Sequence, residues 1–233
     1  VLMTAFSRIK MNPVQQMAEV QDIYLRYGIT TVQDGGATKE SVEGFLRMAA
    51  GGMFKIDVVA YVMTDEKGIG ELLEEHPEVA GKYKNRFQIG GAKIILDGSP
   101  QGKTAWLTSP YEGETEYCGY PTHSDETVAA AAKAAIEGKY QLLAHCNGDA
   151  ASDQFLRCYE KALEELGNPK EDLRPVMIHC QTVRDDQLDK MKELGMIPSI
   201  FVAHTYYWGD VHLKNLGTER GARISPVKSA LER

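Results

Sequence analysis

Several things are scarce in these 233 residues. No apolar run approaches the roughly 20 residues that a bilayer-spanning helix needs, which argues against a membrane span. Positive charge is in deficit: 26 Lys and Arg stand against 33 Asp and Glu, for a formal charge of −7. Neither nucleic acid nor an anionic lipid surface is therefore the expected partner. The four cysteines, Cys118, Cys146, Cys158 and Cys180, form no CxxC pair. They exclude a disulfide scaffold and suit a reducing compartment, so a cytoplasmic protein is expected. No basic segment precedes an apolar stretch at the start, so no signal peptide is read there. The chain also opens without an initiator Met, inside an apolar phrase, which is the pattern of a fragment.

What is present is ordinary globular composition, 43% hydrophobic and 25% charged, which excludes disordered and collagen-like classes. Apolar, β-branched segments alternate with helical ones. Helices are expected over 14–27 (Asn12 as cap, Pro13 at the first position), 38–50, 125–138, 150–166 and 184–194, with part of 65–88 helical as well. Strands are expected over 29–32, 56–63, 92–96, 142–145, 176–179 and 197–203, with long loops at 99–124 and 205–216. Most strands are continuously apolar, so both faces are covered, as in a parallel sheet. The expectation is one α/β domain over residues 1–233, either a barrel or a doubly wound open sheet. Barrels commonly reach about 250 residues as a single domain.

The strand ends carry Asp34, Asp97, His145, His179 and His204, and in a barrel the functional side chains gather at those ends. One such histidine is ordinarily just a hydrogen-bonded residue. Three on successive strands, about 4.8 Å apart, can share one ion. In Ala144-His145-Cys146-Asn147 and Ile178-His179-Cys180-Gln181, alternation turns His and Cys to opposite faces, which makes the cysteines packing residues rather than nucleophiles. Lys93 shares a strand face with Ile95 and Asp97. Two readings stand for it: a buried Lys–Asp ion pair, or an amine whose lowered pKa frees it for chemistry. Asp149 either caps the helix at Ala150 or orients its own loop. Tyr206, Tyr207, Trp208 and His212 follow His204 and line a pocket or cover the barrel, with the pocket favoured. Gly98-Ser99-Pro100-Gln101-Gly102-Lys103-Thr104 imitates a phosphate-binding loop. It has three residues between its glycines where four are required, and no helix start follows, so nucleotide binding is excluded.

The string Ala92-Lys93-Ile94-Ile95-Leu96-Asp97-Gly98-Ser99, then His145 with Gly148-Asp149-Ala150-Ala151, then Ile178-His179-Cys180-Gln181, resembles the YtcJ-like branch of the amidohydrolase superfamily (amidohydrolase family 3). So do the stretch from Ser199-Ile200-Phe201 through His204-Thr205-Tyr206-Tyr207-Trp208-Gly209-Asp210 and the phrase Arg223-Ile224-Ser225-Pro226. The resemblance covers nearly the whole chain. It implies a distorted (β/α)8 TIM-type barrel with one or two divalent ions, usually zinc, at its C-terminal face. A metal-activated hydroxide would attack an amide-type carbonyl in a small-molecule substrate, cleaving C–N bonds other than peptide bonds. His145 and His179 are implied as metal ligands, and Lys93 as a carboxylated lysine bridging the metals. Asp97, His204, Trp208 and His212 are implied at the substrate or behind the ligands.

Two departures limit this. The family's HxH pair is missing, and its catalytic Asp would lie beyond Arg233. The chain then corresponds to the central section, about barrel strands two to seven, inactive by itself. Its two unpaired edges would invite homo-oligomerisation. The alternative is a non-catalytic barrel that binds a small ligand and has lost its metal.

Overall fold

A computed structural model of the chain describes residues 12–64 and 69–233. The readings at residues 1–11 and 65–68 lie outside them. Two compact units emerge, one formed by residues up to Val62 with Glu71–Gly90, the other by Met63–Gly70 with Gly91–Arg233.

In the first unit, helix α1 (Pro13–Arg26) starts where the Asn12 side chain accepts from Val14 N and Gln15 N, with Pro13 at the first helical position. Strand β1 (Thr31–Ala37), helix α2 (Lys39–Ala50, capped by Thr38) and strand β2 (Asp57–Met63) follow, and β1 pairs parallel with β2. β1 runs past the strand expected over 29–32 and takes in Gly35 and Gly36. The register shifts between Asp34 and Ala37, an irregularity in the ladder at the two glycines. Asp34 therefore lies inside an irregular strand, where its Oδ1 accepts from Gly36 N, and not at a strand end. Helix α3 (Ile69–Glu75) is the helical part of the charged 65–88 stretch.

Strand β3 (Phe87–Ile95) begins in the first unit and continues into the second. It is longer than its apolar signal because Gly90-Gly91 interrupts the pattern. A Cβ at Gly91 would stand 1.9 Å from Gln141 O, so only glycine allows this approach of two strands. In the second unit β3 pairs with β4 (Gln141–Cys146), β4 with β5 (Val176–His179) and β5 with β6 (Ile197–Ile200), all parallel. Helices α4 (Asp125–Glu137), α5 (Asp149–Glu165) and α6 (Asp185–Glu193) connect them.

In the second unit strand order follows chain order, β3-β4-β5-β6. A doubly wound sheet would reverse direction at a switch point, so the arrangement is the singly wound α/β kind, consistent with a partial TIM barrel. The core sets Ile94, Leu142, Ala144 and Met177 of the strands against Val128, Phe155, Leu188 and Met191 of the helices. Cys146 and Cys180 are wholly buried in that cluster, as packing residues are.

One segment departs from the expected pattern. β6 stops at Ile200, and 203–222 is a helix, α7 (Ala203–Ala222), kinked at Gly217, where a strand end and a loop were expected. His212, Asn215 and Leu216 are buried at helical spacing, but two of these three are polar. No apolar stripe marks the helix in the sequence. A short helix, α8 (Val227–Leu231), follows. Among the described residues no helix is long and apolar enough to cross a membrane.

Candidate metal site at the strand ends

The apolar runs of β4 and β5 carry His145 and His179 to neighbouring strand ends, where Cys146 pairs with His179 in the ladder. Their rings meet edge to face with centroids 4.5 Å apart. His179 lies 6.3 Å from His204, and His204 lies parallel to His212 at 5.7 Å, so four imidazoles form a row. His179 has φ 79° and Cys180 φ 48°. Left-handed backbone at two successive non-glycine residues costs on the order of 1–3 kcal/mol each and clusters at functional sites.

Burial lowers the pKa of all four imidazoles. His179 falls to about 3, with His145, Lys93 and His204 adding repulsion, and His212 to about 4, with His204 adding. They are uncharged at neutral pH, as a metal ligand must be. Nδ1 of His179, Nδ1 of His204 and both ring nitrogens of His212 are buried without a hydrogen-bond partner among the described residues.

Lys93 is 6% exposed, and burial lowers its amine to about 8. It forms no ion pair with Asp97, so the ion-pair reading of the lysine is set aside. The Asp97 carboxylate is committed elsewhere: it accepts from Trp106 N (2.9 Å), Asn147 N (2.9 Å) and Gly148 N (2.7 Å). Burial raises Asp97 to about 7 while those three amides pull it down. It thus brackets the 105–107 segment and the loop that follows His145, and its Oδ1 stands 3.6 Å from His145 Nε2.

Asn147 was not singled out by its sequence. It is 2% exposed, its Nδ2 donates to Gly98 O (2.7 Å) and lies 2.9 Å from His145 Nε2. The repeated His-Cys-amide phrase at the ends of β4 and β5 is the signal that could have found it. Asp149 does not cap α5. Gly148 is the cap residue, and a Cβ there would fall 1.8 Å from Trp106 O. Asp149 instead accepts from Thr108 N and Oγ1 and from Arg184, which orients the 107–109 loop.

The expected aromatic pocket is not formed. Tyr206 and Tyr207 meet edge to face, 85% and 71% exposed, and Trp208 is 43% exposed. Successive helical residues point about 100° apart, so α7 turns only His212 of this group inward. Lys103 of the imitation phosphate loop pairs with Glu114 at 2.9 Å.

Among the described residues no three His, Cys, Asp or Glu side chains converge on one point. Of the neutral pair His145 and His179, His179 keeps a buried Nδ1 unspent and fits one position of a metal's ligand set. His145 Nε2 already faces Gly98 O (3.2 Å) and Asn147 Nδ2, and Lys93 adjoins both histidines electrostatically. The fit is partial.

The chain matches no curated protein sequence. Two solved structures of uncharacterized metal-dependent hydrolases are similar in fold. The one from Pyrococcus furiosus has a TM-score of 0.78 at 24% identity, over 96% of this chain and 46% of its own. The one from Pyrococcus horikoshii OT3 has a TM-score of 0.77 at 23% identity, over 96% and 44%. Atrazine chlorohydrolase TrzN from Arthrobacter aurescens TC1, complexed with zinc, follows at 0.53 and 15%, over 94% and 46%. The chain spans less than half the length of each. The amidohydrolase family model matches residues 14–233, and with a match of that extent the chain belongs to the amidohydrolase family.

Proposed function

We propose that the chain is the central section of a YtcJ-like, metal-dependent hydrolase that cleaves an amide-type C–N bond in a small-molecule substrate. The observation that carries this reading is the edge-to-face pair of uncharged histidines at the ends of two adjacent parallel strands, with Nδ1 of His179 buried and unspent. A divalent ion held there, zinc by preference, would supply Lewis acidity and bring the pKa of a water to about 7.

His145 and His179 would hold that ion. Lys93, buried without a counter-charge among the described residues, would serve as an oxygen donor once carboxylated, which also removes the cost of a desolvated ammonium. Asp97 and Asn147 fix the loop that follows His145. His204 and His212, on the far side of His179, offer neutral donors and acceptors to the substrate's acyl group. The HxH pair and the catalytic Asp would lie in flanking sequence, and no nucleic-acid or membrane partner is expected.

The absence of a third converging donor among the described residues favours a second reading, a small-ligand-binding barrel that has lost its metal. Zinc content after loading and dialysis separates the two. The chain is expected to retain zinc and His179→Ala to lose it, by more than the roughly 10- to 100-fold cost of losing a partner behind a ligand. A folded chain that retains no zinc supports the second reading. Intact mass of the natural gene product is expected well above 25.8 kDa.

A further inference from the structure

A hollow of about 260 Å3 opens where the 107–109 segment, the first turn of α5, the residues after β5 and the end of α7 meet. It shares no residue with the histidine row. Three guanidinium groups reach its wall, in a chain that is acidic overall.

They are not equivalent. Arg184 is committed, with its Nε and both Nη atoms bonded to Asp149, Asp153 and Asp186. Arg220 donates from Nε to Leu216 O (2.8 Å), from Nη1 to Ser109 O (3.1 Å) and from Nη2 to Pro110 O (2.7 Å). Carbonyl oxygens fix its orientation but leave its unit charge uncancelled, and each Nη keeps one unspent N–H. Arg223 has a single bond, to Asp185 Oδ1 (3.0 Å), and is 59% exposed. Leu107 and Val183 give the hollow an apolar wall, and both are buried. Of the two carboxylates there, Asp149 is bonded to Thr108 and Arg184, while Glu219 has no ion pair among the described residues.

A guanidinium held rigidly, uncancelled and beside a second one suits a forked oxyanion, and little ordering is needed on binding. We infer that this hollow binds a small organic anion, with its carboxylate or phosphate on Arg220 and Arg223 and its short apolar stem on Leu107 and Val183.

Calorimetric titration and thermal unfolding with butyrate, acetate and inorganic phosphate, against sodium chloride at matched ionic strength, test this. One saturable site and a raised Tm with butyrate or phosphate are expected, and which of the two acts identifies the oxyanion. Butyrate should bind more tightly than acetate if it is the carboxylate that is seated. Arg223→Gln should weaken binding by about tenfold, the scale of one charge-assisted hydrogen bond, and Glu219→Gln should strengthen it by removing a like charge. Arg220→Gln also releases the bonds that hold 109–110, so the decision rests on the other two variants. No response beyond that of chloride, or a response unchanged in both Arg223→Gln and Glu219→Gln, overturns the inference.

Discussion

Burial leaves His212 without solvent and without a partner among the described residues, and its imidazole is held down at about 4. The unfolded chain takes up that proton near pH 6.5, its ordinary value, and the folded chain only near 4. Between these values the unfolded state binds more protons, so stability falls as pH falls through that window. Urea unfolding at pH 7 and pH 4.5 is expected to show a loss on the order of 2 kcal/mol from this residue. His212→Gln should flatten that dependence, and an unchanged slope would mean that the folded imidazole protonates freely. At the same scale, His145 and His179 could be singled out from the sequence, because a histidine closing an apolar strand contrasts with its neighbours. The left-handed backbone at His179 could not, since φ at a non-glycine residue is imposed by surroundings the local sequence does not describe.

Among the elements, α5 and α6 are tied by Arg184, Gln187 and Lys190, and Arg184 carries the most of these bonds. Arg184 binds Asp149 and Asp153 of α5 and Asp186 of α6. Asp149 is 9% exposed, so removing its cation leaves a buried carboxylate with only Thr108 as partner. Arg184→Ala is expected to destabilise the chain by about 1–3 kcal/mol in urea unfolding. Arg184→Lys should recover only part of this, because a single ammonium cannot span three carboxylates. A loss within the error of measurement would show that the ion pairs are held by solvent as well as by the protein. The helices that begin with Asn12 and Thr38 were legible because the caps lie beside the segments they start. α7 was not, because what it buries is histidine and asparagine, and polar residues leave no hydrophobic period.

For the molecule as a whole, metal binding and folding are linked. An ion that binds the folded state and not the unfolded one adds about 2.7 kcal/mol at a free concentration 100 times its Kd. For a chain of this size that raises Tm by roughly 5–10 °C. Zinc is expected to produce such a shift in thermal unfolding, a chelator to reverse it, and His179→Ala to abolish it. A Tm indifferent to zinc would support the barrel without a metal.

The sequence by itself determined the alternation of strands and helices, their parallel pairing and the positions of His145 and His179. These follow from local period, continuous apolarity and strand ends, which need no knowledge of distant residues. Only the tertiary structure decided that Lys93 and Asp97 do not pair, since Asp97 is claimed by amides from residues 106, 147 and 148, which the chain brings together across loops. Likewise, three arginines separated by up to 39 positions meet around one hollow only because α7 and the loops after β4 and β5 converge there. Hydrogen bonds and charges between segments far apart in the chain depend on which groups fold into reach, and spacing along the sequence does not encode that.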